Sequence, residues 1–314
     1  MQWHERIGRR LKLRDLHILM TVVQCGSMGR AASSLAISQP AVSKAISDLE
    51  TTLKVKLLDR TGQGVEPTLY GQAVLKWGLT IFNDLKQSVA EIEYLADPTR
   101  GELRLGCTEP MAAGFVSTVI EQLTRQYPKL IFHVTQADSG TLQNRELKTR
   151  NIELLVGRIP DLAPADETEA EVLFNEPIVA VAGVRSKWVR RRKVEWAELS
   201  DEPWILPPSN SIGMALFTEA FRSSNLPPPQ STVVAFSLQL TTSLLATGRY
   251  IGLVPGSMLR VSGDRLGIKA LPLKLPVRAG PAGIVKLKNR MLSPVGQIFV
   301  EKARELARLL PDPH

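Results

Sequence analysis

The chain has 314 residues, of which 44% are hydrophobic, 5% aromatic and 22% charged; these are ordinary globular proportions that exclude a disordered chain and leave room for two or three domains. A formal net charge of +8 favours a polyanionic partner. Cys25 and Cys107 stand far apart with no Cys or His at metal-ligand spacing, so neither a disulfide framework nor a zinc site is supported, and a reducing compartment fits. The opening MQWHERIGRRLKLRD has no apolar stretch behind its charges and no run approaches membrane-spanning length, which reads as a cytoplasmic soluble protein.

Much of the excess positive charge lies in the first fifth of the chain, where Arg6, Arg9, Arg10 and Lys12 precede the first helical pattern and Arg14 lies within it. A second basic cluster, Lys187 and Arg190 to Lys193, reads as a solvated surface run. Leu13, Leu16, Leu19, Met20 and Val23 recur at helical spacing until Gly26 ends the pattern. Ser27 is placed to cap a second, short helix whose small residues Ala31, Ala32 and Leu35 allow close approach to a neighbour. Ser38 can cap a third helix, with Pro40 tolerated in its first turn because the amide it lacks would have had no acceptor there.

In this third helix Val42, Ala45, Ile46, Leu49 and Leu53 share one face, while Pro40, Lys44, Ser47 and Thr51 lie opposite and Gln39 and Ser43 sit at its leading edge. Gln39 can pair bidentately with adenine, Lys44 can donate to guanine, Ser43 can do either, and the ring of Pro40 can pack on a thymine methyl. Such contacts specify sequence, whereas Arg30 is suited to hold a phosphate. An exposed polar face in any all-helical domain would show the same spacing. Leu57 to Asp59 and Val65 to Pro67 then read as two short strands around Thr61-Gly62-Gln63-Gly64, the hairpin of a wing. Arg60, at the start of that wing, is suited to a minor groove or a phosphate, and equally to solvent.

Leu16 to Gly71, with AASSLAISQPAVSKAISDLETTLKVKLLDR followed by PTLYG, resembles the winged helix-turn-helix of LysR-type transcriptional regulators. The resemblance implies operator contacts from Gln39, Pro40, Ser43 and Lys44, with Ser38 and Ser47 on the same helix edge and Arg60 used in the wing. Lys54 stands where the family usually has Gly, and Leu58 where it usually has Phe. Neither lies on the reading face, so these departures bear on a helix end and on packing. The long basic N-terminus, the LLDRTGQGVEPT wing and LADPTRGELRLG are similar to the galactose-binding-protein regulators within that family.

Thr68 can cap a long helix running to about Ala96, before Asp97-Pro98 breaks it. Val74, Gly78, Ile81, Leu85, Ser88, Ile92 and Leu95 alternate steps of four and three, the coiled-coil period. The seam either packs inside its own domain or pairs with a second copy; polar residues elsewhere on the helix favour pairing, and the resemblance implies a linker helix that dimerises. A dimer would set two reading helices on an inverted-repeat operator. The family implies homotetramers beyond that.

From Gly101 short apolar strands alternate with helices, GELRLGCT, LIFHVTQA and IELLVGRI forming a βαβαβ run and EPIVAVAG opening a second such unit. The expected organisation is multidomain. A winged helix-turn-helix domain occupies 11–68 (helix-turn-helix about 28–47), a dimerising linker helix 69–97, and a two-lobed α/β domain 98–314, its first lobe about 101–172 with 277–314 and its second about 173–276. The resemblance implies that this last domain is an effector-binding domain similar to periplasmic solute-binding proteins. In open α/β sheets ligands bind beyond the carboxyl ends of the strands. That rule selects Thr108, Glu109, Pro110, Met111, Asp138 to Thr141 with Ser139 among them, and Gly157-Arg158 on one lobe, and Ser209, Asn210, Ser211 and Pro255 on the other. Each taken alone is also an ordinary cap or turn residue. Glu109 would accept hydrogen bonds from a sugar-like, polyhydroxylated effector, with Arg158 as its ion-pair partner or an anion contact.

The expected function is DNA-binding transcriptional regulation in response to a small molecule, with no cofactor and no metal. A small-molecule enzyme with an accessory helical domain is the rival, but His4, His17, His133 and His314 are scattered and neither GxSxG nor a phosphate-cradling Gly loop occurs. A cytosolic solute-binding protein without DNA leaves the basic N-terminus and the Gln39-Pro40 helix start unexplained.

Overall fold

The structure, a computed structural model, describes residues 10–61, 64–97, 99–159, 167–209, 212–227, 229, 231–273 and 280–310. It divides into two compact units, Met1–Val89 and Ala90–His314.

In the first unit three helices, α1 (Leu13–Cys25), α2 (Met28–Ser34) and α3 (Gln39–Leu53), bury Leu16, Leu19, Val22, Ala31, Ala32, Val42, Ile46 and Leu49 against one another. The ends fall where local chemistry puts them. Gly26 closes α1 in the left-handed region (φ 65°), and the Ser27 hydroxyl accepts from Arg30 N at 3.3 Å. The Ser38 hydroxyl accepts from Ala41 N at 3.4 Å. Strands β1 (Leu58–Thr61) and β2 (Gly64–Pro67) pair antiparallel as the wing. The wing is tied to the helices at two points: Glu50 Oε1 accepts from Leu57 N at 2.9 Å, and Val65 N donates to Gly26 O at 3.1 Å. The expected turn residues Gly62 and Gln63 lie outside the described residues. Helix α4 (Leu69–Ala96) follows, its first turn capped by the Thr68 hydroxyl, which accepts from Gly71 N at 3.0 Å.

The second unit holds two five-stranded sheets. The strands are β3 (Arg100–Cys107), β4 (Lys129–Gln136), β5 (Leu154–Arg158), β6 (Thr168–Glu176), β7 (Ile178–Gly183), β8 (Trp204–Leu206), β9 (Ser231–Val234), β10 (Ile251–Pro255), β11 (Ile268–Ala270) and β12 (Gly280–Leu287). The first sheet has the order β4-β3-β5-β12-β6 and the second β11-β7-β10-β8-β9. β3, β4 and β5 are parallel, as are β8, β9 and β10, but β12 pairs antiparallel with both β5 and β6, and β7 pairs antiparallel with β10 and β11. The expected parallel sheets are therefore mixed, because the crossing strands return in the opposite sense. β6 stays in the first sheet through Glu176, so the crossing lies at Pro177 and not after residue 172.

Helix α5 (109–126), which contains a π-helical stretch at Ala112–Val116, and the short helix α6 (139–147) follow β3 and β4; α7 (Ile212–Ser223) and α8 (Leu238–Ala246) belong to the second lobe. Helix α9 (Gly256–Leu266) continues directly from β10, and α10 (Pro294–Arg308) returns to the first lobe, where Phe299 and Ala303 are fully buried. In the second lobe, Trp204 packs edge-on against Phe217 with ring centroids 5.0 Å apart.

Candidate functional site

Two sites emerge, one in each unit. In the first, the leading turn of α3 presents Gln39, Pro40 and Lys44 to solvent, with Ser43 half-buried between them and Ser47 exposed a turn further on. Their placement follows from burial of the opposite face: Val42, Ala45, Ile46 and Leu49 fix the helix rotation. Ser38, exposed at the N-cap, already uses its hydroxyl on Ala41 N. Arg30 is exposed on α2. A Cβ added at Gly29 would lie 3.9 Å from Gln39 Oε1, so α2 and the start of α3 pass close together. The backbone of Arg60 pairs with Val65 in the wing, while its side chain lies outside the described residues. This surface combines short donor–acceptor groups with cations and no acidic residue among the first-turn positions of α3, which is the chemistry of base edges flanked by phosphates.

Sequence reasoning missed Glu50. Burial pushes its carboxyl up, but Lys56 Nζ at 2.6 Å and the amides of Leu57 and Leu58 outweigh that and hold it below the usual carboxylate range. It anchors the wing to the end of α3. The signal lay seven residues apart in sequence but on no common helical face.

In the second unit the strand-end residues sort differently. Thr108 precedes α5 without capping it through its side chain. Glu109 Oε2 accepts from Leu238 N, the first amide of α8 in the other lobe, at 2.7 Å. Pro110 is half-buried, but Met111 is only 2% exposed and belongs to the first lobe's core, so its expected place in the cleft is corrected. The helical turn points a side chain two positions after Glu109 inward. Ser139 is half-buried beside Asp138, whose carboxyl the Thr141 hydroxyl and amide hold below the usual range. Arg158 does not reach Glu109 as an ion-pair partner in any described contact; its Nη1 donates to the Glu176 carbonyl at 3.1 Å. Ser209 is exposed, Pro255 is the half-buried residue before α9, and Asn210 and Ser211 lie outside the described residues.

Glu176 is fully buried at the end of β6 and accepts from both the amide (2.9 Å) and the hydroxyl of Ser257 in α9; burial pushes its carboxyl up. A cavity of about 350 Å³ between the lobes is bordered by Glu109, Gln136, Gln239, Thr242 and Arg265. Glu109 alone among the expected effector residues borders it; the other four come from the end of β4 and from α8 and α9, positions that only the three-dimensional pairing brings together. A larger hollow of about 1160 Å³ lies within the second lobe beside Trp188, Glu202 and Arg249 and contains none of the expected site residues. The basic run nearby is solvated and largely paired, Lys187 with Glu202, Arg191 with Glu198 and Lys193 with Glu195.

Among the described residues no three His, Cys, Asp or Glu side chains gather as a metal site, and no helix is long and apolar enough to cross a membrane. Burial pushes the Cys107 thiol up to about 12, which keeps it from acting as a thiolate nucleophile.

Residues 13–72 match the model of bacterial regulatory helix-turn-helix proteins of the lysR family, and residues 96–308 match the LysR substrate binding domain. The regulator GbpR of Azospirillum brasilense is 30% identical over 91% of this chain and 83% of its own length. The dual regulator GltC of Bacillus subtilis is 26% identical over 93% and 96%. Full-length OxyR from Pseudomonas aeruginosa shares the fold with a TM-score of 0.66 at 20% identity, over 95% of this chain and 96% of that one. Full-length CbnR, solved in complex with its target DNA, does so with a TM-score of 0.65 at 20% identity, over 94% and 99%.

Proposed function

The chain belongs to the LysR family of DNA-binding transcriptional regulators, and from that premise we propose a division of labour within it. Residues 11–68 read an inverted-repeat operator, 69–97 pair two copies, and 98–314 bind a small-molecule effector whose occupancy alters transcription from the cytoplasm. Gln39, Ser43 and Lys44 read base edges and Pro40 meets a thymine methyl, while Arg30, Ser38, Ser47 and Arg60 hold the backbone. The observation that carries this reading is the exposed first turn of α3, with Gln39 and Lys44 outward and the whole opposite face buried.

The effector reading is a polar, sugar-like metabolite in the inter-lobe cleft, supported by the amide and hydroxyl groups of Gln136, Gln239 and Thr242 beside Glu109 and Arg265. Thr108, Pro110, Ser139, Arg158, Ser209 and Pro255 belong in this proposal to the wider cleft, outside the cavity that Glu109 alone of the expected residues borders. The effector acts by preferring one lobe arrangement over another. A dimer of dimers completes the assembly.

The test is fluorescence anisotropy with operator and unrelated DNA across a salt series. Gln39→Ala should weaken operator binding roughly tenfold or more and leave unrelated DNA unchanged. Arg30→Ala should weaken both together and flatten the logarithmic salt slope by about one. Equal loss on both DNAs for Gln39→Ala would remove it from sequence readout, and wild-type binding indifferent to salt would defeat the interface itself.

A further inference from the structure

Among the described residues two sets of contacts join the lobes of the second unit. On one, α9 is fastened to α5: a Cβ added at Gly114 would lie 2.8 Å from Met258 Cα, Ser262 Oγ donates to Ala113 O at 2.6 Å, and Glu176 receives the Ser257 amide at 2.9 Å. These are close backbone approaches and polar bonds that separation would have to break together, whereas the second set is a single bond. On the other, Glu109 Oε2 accepts from Leu238 N at 2.7 Å, bringing the first lobe's carboxylate onto the leading amide of α8 beside the cavity.

A ligand group entering between that N–H and that carboxylate must accept from one and donate to the other. A ligand carboxylate only accepts, and would face Glu109 as a second anion. An ammonium only donates, and would face the Leu238 N–H. A hydroxyl does both. The cavity's remaining charge agrees, since Arg265, steadied by its Nη2 bond to Ser262 Oγ at 3.2 Å, offsets Glu109 and leaves a wall that suits an uncharged ligand.

We infer that the Glu109–Leu238 hydrogen bond is a latch that a hydroxyl of a neutral polyhydroxylated ligand enters, accepting from Leu238 N–H and donating to the Glu109 carboxylate. The inference rests on the cleft being the effector site. Replacing one direct bond with two in series around a bent oxygen widens the gap by about 2 Å. With α9 fastened, that widening becomes rotation of one lobe about α9, so Glu109 both selects hydroxyl ligands and converts their binding into lobe movement.

The test uses the full chain. Amide hydrogen exchange without ligand should show Leu238 protected in the wild type and in Glu109→Gln, which keeps the acceptor, and exchanging roughly tenfold or more faster in Glu109→Ala. Titration calorimetry with neutral hexoses and the matching sugar acids should then give tighter wild-type binding for the neutral sugars and a loss of about tenfold in Glu109→Ala. Unchanged Leu238 exchange in Glu109→Ala overturns the latch. Sugar acids binding more tightly than the neutral hexoses, or no hexose binding at millimolar concentration, overturns the hydroxyl assignment. Hexose binding untouched by Gln239→Leu and Thr242→Val would instead remove the cleft as the effector site, an outcome that ligand-free exchange at Leu238 does not depend on.

Discussion

At the scale of single residues, Lys54 shows a local rule broken at a measurable cost. It closes α3 with φ 59° and ψ 30°, the left-handed conformation, where an L side chain is disfavoured by about 1–2 kcal/mol and glycine is not. Gly26 does the same at the end of α1 without that cost. Lys54→Gly should therefore stabilise the first unit by about 1 kcal/mol, offset in part by glycine's greater freedom in the unfolded chain. Slower hydrogen exchange of the buried α3 amides would register the gain; unchanged or faster exchange would show that no strain is stored there. Operator affinity should not move, since Lys54 lies some 22 Å along the helix from Gln39 at about 1.5 Å per residue. Residues whose work is local were legible in this way: Ser27, Ser38 and Thr68 cap the helices they were expected to cap. Glu109 was visible as a candidate, but its partner Leu238 lies 129 residues away, and no spacing rule connects them.

Among the elements, α4 shows what a periodic seam does and does not say. Its apolar steps run evenly from Val74 to Leu95 in sequence, yet the structure divides them. Val74 packs into the first unit's core, and Gly78 is buried so closely that a Cβ would lie 3.1 Å from Leu16 Cδ1. The expected pairing seam therefore loses its first two positions to the chain's own fold. From Ile81 onward the side chains of the seam itself are exposed, Ile92 at 66% and Leu95 at 75%. Periodicity reports that a face is apolar and is silent about whose surface covers it. Leu85→Lys combined with Ile92→Lys places charges in the exposed part and spares the buried part. Sedimentation should show the double variant shifted to monomer, with operator affinity lowered and the first unit's helicity retained. A variant that stays dimeric would move the pairing surface off α4.

For the molecule as a whole, alternation of strands and helices correctly announced two α/β lobes, but the sense of β7 and β12 escaped it, because antiparallel pairing is decided by where a returning strand lands. The same return sets Glu176 where the two lobes meet. β6 delivers the carboxylate, fully buried, to the Ser257 amide and hydroxyl at the start of α9, with Arg260 and Arg158 as the nearby cations. Burial raises its pKa above the ordinary 4.5 despite those partners. A carboxyl whose folded pKa is raised holds its proton longer in the folded than in the unfolded chain, so its contribution is most favourable below the unfolded value and declines as pH climbs through the raised one. Glu171, held below the ordinary range by Arg304, works in the opposite sense, and Glu153, also raised by burial, in the same one. A wild-type pH profile therefore mixes these three with other shifted carboxyls, Glu50 and Asp138 among them, and comparison with Glu176→Gln isolates one. The glutamine keeps a carbonyl for Ser257 and cannot ionise. Thermal midpoints of the two proteins should differ by a constant amount below about pH 4, and the difference should move in the variant's favour as pH rises from there toward neutrality. A difference that stays flat over the whole range would mean that Glu176 carries its charge in the folded lobe junction at no cost, its Ser257 bonds and the two arginines fully offsetting burial.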